Sequence, residues 1–515
     1  MVAGGDDLGS EYVQPAADPW LHRVAIARSA GRSFAYRPDR VLVVRGPWRR
    51  LTASARNDLL ELIGGDTPAE EDQSYTGGPV VLTGVADPVE AARRLRDEGL
   101  VAQVDHVFFA VPVEGDGVSG APVMFGGVSG APVMFGGVGG APVMFGGVAG
   151  APVMFGGVGC GCCHLDIGPP SGSPAAPRQS TVRPAAAPIP ASGTGQCRVV
   201  VVDTGLADDP FLPAELNQVG GSGARDEPDA DDDGNLDPAA GHATFIAAIV
   251  GRLAPGATVE VRQVLSTFGD GSDSDVAATL RGLLDDPPQI VNLSFAGYSE
   301  GDTAPMAIRD AVAQLVAKGS AVVAAAGNDA TCRPAWPASL DKVVSVGAVG
   351  PNGPAWFTNH GSWVRACAPG VDVVSRFFDI PSPQTASQQN DVKALGAAVK
   401  WAAWSGTSFA APIVAGVLAR AVLAGSTPGE AVAAAIDDAG LLRLVGLGTV
   451  INERPWEPKG GLDGRGPPPQ RSHLAVERAF REPSMTFVSP AADFPDRSGL
   501  RSLHLGTTVV ASHET

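Results

Sequence analysis

The sequence predicts an α/β protein. Its main part, residues 197–445, is expected to be a mostly parallel sheet flanked by helices, and a small α+β domain at residues 38–113 precedes it. Two observations favour this class. From Cys197 onward, short apolar segments alternate with helical stretches. A segment such as Val199 to Val202 has no polar side chain to expose to solvent on either face, which is typical of buried parallel strands. Residues 38–113 give three short strands and two helices, enough for one small covered sheet.

The elements of the small domain follow from the apolar pattern. Its strands are predicted at Val41 to Val44, at Val80 to Leu82 and within 101–111. Its helices are predicted near 54–63 and from Pro88 to about Glu98, where a proline is tolerated in the first turn. We regard residues 1–37 as an N-terminal segment outside this domain.

Four decapeptides follow the small domain in unbroken phase within a linker at residues 114–196. Each reads Val-X-Gly-Ala-Pro-Val-Met-Phe-Gly-Gly, and the copies occupy 118–127, 128–137, 138–147 and 148–157. Proline and repeated glycines disfavour a helix, and the copies contain no charged residue, so a flexible tether is one interpretation. The other is a sticky segment, because Val-Met-Phe recurs every ten residues and can dock on a partner or on the chain itself. The sequence does not decide between them.

Charge and hydropathy limit the classes of partner and the cellular location that the sequence predicts. The chain has 37 Lys and Arg against 55 Asp and Glu, a net charge of −18, and no basic run, so nucleic acid is not expected as a partner. No stretch has the length or apolarity of a signal peptide or a transmembrane segment. As written, the chain is therefore expected to be cytoplasmic, and it would be secreted if its start codon is misassigned. We assign no chemistry to the C-terminal extension, residues 446–515.

The six cysteines are too unevenly spaced for the disulfide framework of a small secreted protein. Cys160, Cys162, Cys163 and His164 offer metal ligands, but they are adjacent and lack the separated pairs of a structural zinc site. Whether this segment holds a metal stays unknown from the sequence.

Two candidate catalytic residues are an acid and a base. Asp203 follows the valine strand directly and so lies at its carboxyl end, the edge at which open α/β sheets bind ligands. His242 begins a run of small and apolar residues that reads as a buried helix, with the imidazole in its first turn. Taken alone, such an aspartate is more often a turn or cap residue, and such a histidine more often a packed one.

The other two candidates are a nucleophile and an oxyanion donor. Ser408 lies in Gly406-Thr407-Ser408 just before a predicted long helix, and free amides at a helix start favour developing negative charge. Asn328 follows a second apolar strand, where its amide can donate to an oxyanion. Alone, Ser408 reads as a helix cap and the Gly-Asn pair as an ordinary turn.

Together these segments resemble the subtilase family of serine proteases. Four motifs occur in the order and spacing of that family: Asp-Thr-Gly beginning at Asp203, Gly-His ending at His242, Ala-Ala-Gly-Asn ending at Asn328, and Gly-Thr-Ser-X-Ala-X-Pro around Ser408. The chain order Asp, His, Ser differs from the other two orders known for this triad. The resemblance covers roughly 197–425 and implies a subtilisin-like fold.

The resemblance assigns roles to these residues. It implies a serine endopeptidase that acts through an acyl-enzyme, with Asp203, His242 and Ser408 as catalytic triad and Asn328 in the oxyanion hole. Val291 to Gly297 resembles the substrate-binding strand of the family, which implies that the substrate backbone lies along Ser294, Phe295, Ala296 and Gly297.

Three residues depart from the family pattern, namely Ala243, Phe245 and Phe409, and none of them is a proton-transfer group. The segment Val104 to Phe109 resembles the end of a subtilase propeptide, which makes the chain's own N-terminal domain a candidate inhibitor. Self-cleavage in the linker is therefore expected.

An acidic segment is a candidate calcium site. Asp229 to Asp237 places oxygen ligands at alternate positions with a glycine at the sixth, like the start of a calcium loop. Ala240 stands where the bidentate glutamate belongs, so an acidic surface loop is the alternative. No cofactor is expected to be required.

The sequence therefore predicts a serine endopeptidase whose partner is a peptide or protein substrate. A narrower alternative is a maturation protease dedicated to one precursor. A different class of alternative is a catalytically silent binding protein with the same fold.

Overall fold

The computed structural model describes residues 23–66, 77–110, 195–207, 239–351, 353–377 and 401–455, with shorter pieces at 130–136, 142–148, 178–179, 219–222, 225–227 and at positions 230 and 237. The N-terminal domain is the part from Arg23 to Ala110, and the main unit is the part from Gly195 to Pro455.

The strands are β1 (Ala25–Ser29), β2 (Arg32–Val43), β3 (Val80–Leu82), β4 (Ala102–Phe109), β5 (Gly130–Gly136), β6 (Pro142–Val148), β7 (Arg178–Gln179), β8 (Arg198–Asp203), β9 (Val219–Ser222), β10 (Thr258–Gln263), β11 (Asp270–Ser272), β12 (Ile290–Leu293), β13 (Ala321–Ala325), β14 (Val344–Gly350), β15 (Gly353–Pro354), β16 (Ala366–Pro369), β17 (Val373–Arg376), β18 (Trp401–Trp404), β19 (Arg443–Leu444) and β20 (Gly448–Val450). The helices are α1 (Arg45–Arg50), α2 (Ala53–Ile63), α3 (Pro88–Asp97), α4 (His242–Leu253), α5 (Asp273–Arg281), α6 (Met306–Ala317), α7 (Thr407–Leu423) and α8 (Pro428–Val432).

The main unit is built on a ten-stranded sheet. Its order is β19-β20-β16-β14-β13-β12-β8-β10-β9, with β15 beside β14. All neighbours from β9 through to β20 along this path are parallel. The inner strand β8, which lies between β12 and β10, carries Val199 to Val202, and these valines have no exposed surface. This confirms the predicted α/β class and its mostly parallel sheet, because only strands covered on both faces bury such a run.

Two helices behind the sheet carry site residues and pack closely together. Helix α4 is buried along nearly its whole length and contacts α7. A Cβ atom at Gly416 of α7 would lie 2.7 Å from the Cβ of Leu253, so glycine at this position permits the close approach of the two helices. Both helices begin at the edge where β8 and β13 end, which brings their first turns together.

The N-terminal domain is an antiparallel sheet covered by helices. Strands β1, β2 and β4 are neighbours in that order, β3 pairs with β2, and α2 and α3 pack over an apolar core of their own. The three predicted strands and two predicted helices are all present. The sheet begins earlier than position 38, at Ala25, because Ala30 and Gly31 both have positive φ and form the tight two-residue turn that joins β1 to β2.

Two other regions differ from the expected organisation. Strands β5 and β6, which lie in the second and third repeats, pair antiparallel with Met134 opposite Met144. Strand β20 adds to the large sheet beside β16, so the sheet continues past position 445. Among the described helices, none is long and apolar enough to span a membrane.

Candidate active site

The predicted acid and base are in contact. Asp203 ends β8 and His242 begins α4, and the His242 Nδ1 to Asp203 Oδ1 distance is 2.7 Å. Both side chains are fully buried. The same carboxylate oxygen accepts from the backbone N–H of Thr204 at 2.8 Å. This arrangement fixes the imidazole with Nδ1 toward the carboxylate and leaves Nε2 on the opposite side for proton transfer.

Backbone contacts fix where α4 starts. Gly241 has φ of 76°, a conformation that glycine adopts without strain, and its N–H donates to Asp226 Oδ2 at 2.6 Å. The N–H of Ala243 donates to Thr204 Oγ1 at 3.1 Å. Burial raises the pKa of Asp226 to about 7, with the nearby Asp203 and Asp237 carboxylates acting in the same direction. The first turn that carries His242 is thus held from two sides.

Aromatic rings enclose the imidazole. The ring centre of His242 is 5.4 Å from that of Trp404, edge-on, and 5.3 Å from that of Phe409. Trp404 and Phe409 are 5.0 Å apart and Phe245 contacts both. These contacts restrict rotation of the imidazole. From the sequence, Phe245 and Phe409 were identified only as departures from the family pattern. Trp404 was missed, although it directly precedes the segment Ser405-Gly406-Thr407-Ser408.

Ser408 lies in the first turn of α7 and is 3% exposed. Its Oγ is 3.0 Å from the carbonyl oxygen of Ser294 and 3.2 Å from that of Ala110. The hydroxyl of Ser294 donates in return to the carbonyl of Ser408 at 2.8 Å. Within the described residues, no hydrogen bond joins Ser408 to His242, and His242 Nε2 is buried without a partner. The structure therefore brings Ser408 beside Ala110 instead.

Asn328 follows β13 and is oriented by the start of α7. Its Oδ1 accepts from the backbone N–H and the hydroxyl of Thr407, both at 2.9 Å. Thr407 Oγ1 in turn accepts from the N–H of Gly327 at 3.0 Å. Because a backbone N–H can only donate, the atom facing Thr407 must be the amide oxygen. The NH₂ group is left to donate elsewhere, and Asn328 borders the pocket that also contains Ser408.

The segment Ser294 to Gly297 lies along β4 of the N-terminal domain. The N–H of Phe109 donates to the Ala296 carbonyl at 2.8 Å, and the N–H of Ala296 donates to the Phe109 carbonyl at 3.0 Å. Phe295 packs against Phe108 at a ring distance of 5.8 Å. A Cβ at Gly297 would lie 2.7 Å from the Val107 carbonyl oxygen, so glycine is needed for this close approach.

Strand β4 is paired on its other side as well. It runs antiparallel to β11, with Phe109 opposite Asp270, and the N–H of Ala110 donates to the Gly269 carbonyl at 2.9 Å. The end of β4 is therefore an extended peptide held between two segments of the main unit. It leads to Ser408, in the geometry of a peptide that binds by adding a strand.

Buried polar contacts join the two parts of the chain around β4. Asp105 accepts from the N–H of Ser274 at 2.9 Å and from its hydroxyl at 2.6 Å, at the first turn of α5. The amide of Gln103 donates to Asp273 at 3.1 Å. Arg37 and Asp270 form an ion pair at 2.6 Å.

The predicted calcium segment lies mostly outside the described residues. Of Asp229 to Asp237, the described positions are Ala230 and Asp237, and Asp237 Oδ2 accepts from the N–H of Ala230 at 3.0 Å and from the hydroxyl of Thr267. The described part of the chain contains no cluster of three or more His, Cys, Asp or Glu side chains suited to a metal ion. The adjacent cysteines at 160, 162 and 163 and His164 also lie outside it.

Known proteins resemble this chain over the main unit. A family model described as the subtilase family matches residues 195–446. Subtilisin DY of Bacillus licheniformis is 31% identical over 236 residues, which cover 43% of this chain and 75% of that protein. A thermophilic serine proteinase of Bacillus sp. strain AK1 is 32% identical over 189 residues, 35% of this chain, and the match spans only 41% of that relative's length. Among solved structures, a lanthipeptide protease is similar with a TM-score of 0.40 at 22% identity, over 51% of this chain and 87% of that one.

Proposed function

The chain belongs to the subtilase family, and from that premise we propose that it is a serine endopeptidase in which Ser408 attacks peptide bonds. The observation that carries the proposal is the placement of β4. A peptide strand lies along Ala296 with its Ala110 carbonyl oxygen 3.2 Å from Ser408 Oγ, which is how a substrate would approach a nucleophile.

The proposed reaction uses four side chains. His242 accepts the proton of Ser408 through Nε2 as the serine oxygen attacks the carbonyl carbon, and Asp203 stabilises the imidazolium that results. The proton then passes to the leaving amine, an acyl-enzyme remains on Ser408, and water releases it by the same route. The 2.7 Å contact between His242 and Asp203 supports this assignment of base and orienting acid.

The oxyanion of the tetrahedral intermediate needs hydrogen-bond donors. The NH₂ group of Asn328 is one, and the backbone N–H of Ser408 at the start of α7 is the other. The two hydrogen bonds from Thr407 to the Asn328 oxygen support this role, because they fix the amide before any substrate arrives.

We also propose that the N-terminal domain inhibits the site. Its strand β4 lies where a substrate strand would, and it engages the Ser408 hydroxyl through Ala110. Withdrawal of β4 would free Ser408 to donate to His242 Nε2. Self-cleavage downstream of β4, in the linker, would separate the domain from the main unit. Intact-mass analysis tests this step: the wild type is expected to be processed and Ser408→Ala to stay at full length, and equal full-length masses would refute it.

Hydrolysis of denatured casein tests the activity itself. The wild type is expected to degrade casein and Ser408→Ala to leave it intact. Ser426→Ala, a matched serine just past the end of α7, is expected to behave like the wild type. Degradation of casein by Ser408→Ala at the wild-type rate would refute the proposal. A protease dedicated to one precursor would leave casein intact and still react covalently at Ser408 with a fluorophosphonate, whereas a silent binding protein would neither degrade casein nor react.

A further inference from the structure

The pocket beside Ser408 contains an acidic residue that the proposed reaction does not use. The pocket lies between the two parts of the chain. On the main unit it is bordered by Ser408, Asn328, Ala296, Tyr298 and Asp329, among others, and on the N-terminal domain by Phe34, Ala35, Val107, Phe109 and Ala110. Among the described residues that line it, Asp329 is the one carboxylate, and Lys, Arg and His are absent. The remaining lining is apolar, glycine, or neutral hydroxyl and amide groups, so one charge dominates the pocket.

We propose that this pocket selects a basic side chain, Lys or Arg, immediately N-terminal to the cleaved bond, and that Asp329 is the specificity-determining residue. The inference rests on the proposed function, because a side-chain pocket beside Ser408 matters for cleavage only if Ser408 attacks a peptide. It names the substrate class of that same site.

Neutral groups hold Asp329 in place. The hydroxyl of Tyr298 donates to Asp329 Oδ2 at 2.6 Å. Asn359 Oδ1 accepts from the backbone N–H of Asp329 at 3.0 Å, and Asn359 Nδ2 donates to the Tyr298 oxygen at 3.0 Å. These contacts orient the carboxylate without supplying a positive charge, so the pocket keeps its negative charge.

The nearby cation is engaged by another acid. The guanidinium of Arg333 lies 4.3 Å from the centre of the Tyr298 ring, while it donates to Asp302 at 2.5 Å and to the Ser33 carbonyl at 2.6 Å. Asp329 forms no ion pair within the described part of the chain. Burial raises the pKa of Asp329, and the Arg333 charge offsets only part of that shift. An anion in a partly desolvated pocket without a paired cation favours a cationic ligand.

The face of the main unit that the N-terminal domain covers carries the same sign of charge. The ion pairs described between the N-terminal domain and the main unit all have arginine on the N-terminal domain and an acid on the main unit: Arg23 and Arg37 with Asp270, Arg32 with Asp302, Arg40 with Asp275, and Arg96 with Glu300. When the N-terminal domain withdraws, Asp270, Asp275 and Glu300 lose these arginine partners, while Asp302 keeps its ion pair with Arg333. The uncovered face then attracts a basic peptide.

Matched peptides test the specificity. The peptides differ only in the residue before the cleaved bond, which is Lys, Arg or Leu. The protein is expressed as the full-length chain, and each hydrolysis rate is taken after it has become constant. Rates are normalised to the Ser408 content titrated with a neutral fluorophosphonate. The wild type is expected to favour Lys or Arg over Leu by at least about tenfold in kcat/KM, equivalent to about 1.4 kcal/mol. Asp329→Asn is expected to lose that preference, and Asp341→Asn, at an exposed carboxylate elsewhere in the main unit, to keep it.

A second measurement covers the case in which Asp329→Asn does not fold. Burial raises the pKa of Asp329 to about 6, so lowering the pH from 7.5 to 5 neutralises it in the wild type. Burial, with the Asp329 charge beside it, raises the pKa of Tyr298 above its usual range, so Tyr298 stays neutral over this interval. His242 takes part in the hydrolysis of every peptide, so its effect on the rate cancels when the Lys rate is divided by the Leu rate. The ratio of Lys to Leu hydrolysis is therefore expected to fall as the pH is lowered.

The outcomes separate the two proposals. A wild type that is labelled at Ser408 but cleaves the Lys and Leu peptides equally, or keeps a constant ratio from pH 7.5 to 5, overturns the role of Asp329 and leaves the proposed function standing. Retention of the basic preference in a labelled Asp329→Asn overturns it as well. A wild type that neither labels nor cleaves any peptide overturns the proposed function, and this inference with it.

Discussion

Replacing Arg37 with alanine is expected to loosen the N-terminal domain from the main unit by about 2 kcal/mol. The side chain of Asp270 has 0% exposure, and its partner Arg37, at 2.6 Å, is 11% exposed. Removing one partner of a buried ion pair costs about 3–5 kcal/mol, because the other charge is left uncompensated. The hydroxyl of Ser266 still donates to Asp270, and Arg23 remains 3.9 Å away, so we take a smaller value. About 2 kcal/mol corresponds to roughly thirtyfold in the fraction of undocked molecules.

The assay is the rate at which a fluorophosphonate labels Ser408 in molecules that are still unprocessed, which their intact mass distinguishes from processed ones. The docked strand holds the Ser408 hydroxyl at Ala110, so labelling follows the undocked fraction. Arg37→Ala is therefore expected to label about thirty times faster than the wild type. Arg32→Ala is the matched control: Arg32 is 56% exposed, and a surface ion pair contributes about 0–1 kcal/mol, so its rate should rise less than about fivefold. Equal rates for the two variants, or wild-type rates for both, would refute the reasoning.

Two further predictions concern the proposed oxyanion donor and a buried acid. Asn328→Leu removes the amide donor and is expected to lower kcat by about 10²–10³ with little change in KM, which steady-state kinetics on one peptide would measure; a change confined to KM would contradict it. Asp273 accepts hydrogen bonds from two backbone N–H groups in the first turn of α6. Burial raises the pKa of Asp273 to about 7, and the charge of the nearby Asp105 adds to this shift. A carboxyl whose pKa is raised on folding stabilises the fold at low pH and loses that contribution as the pH rises through about 7, so the Tm of Asp273→Asn relative to the wild type should increase from pH 5 to pH 8. A Tm difference that is the same at both pH values would count against this.

Much of the fold was predictable because its determinants are local. A run of β-branched residues such as Val199 to Val202 is typical of a buried strand, and the structure places Asp203 at the end of that strand. His242 and Ser408 lie in the first turns of helices, as the patterns that follow them predict. The start of the N-terminal domain was not predictable in this way, because the turn at Ala30 and Gly31 lacks the Asn-Gly or Asp-Gly signal of a two-residue hairpin.

The remaining features of the site depend on residues distant in the sequence. That Ser408 meets Ala110 follows from docking of β4, and no pattern near either residue encodes it. The location of Asp329 in the pocket was not predicted, because the sequence Gly-Asn-Asp is typical of an ordinary turn. The orientation of the Asp329 carboxylate depends on Tyr298 and Asn359, which lie in other loops. Trp404 was missed for a similar reason, since its contact with His242 arises only when β18 is brought beside α4.

The reactivity of Ser408 is the most direct test of the central claim, that a buried Asp203–His242 pair activates this one serine. Purified full-length chain is incubated with a fluorophosphonate, and tandem mass spectrometry locates the adduct. The account predicts one adduct, on Ser408, and a labelling rate that falls by about 10³ or more in His242→Ala, because the serine then lacks its base. An adduct on another residue, or labelling of Ser408 at the wild-type rate without His242, would contradict it.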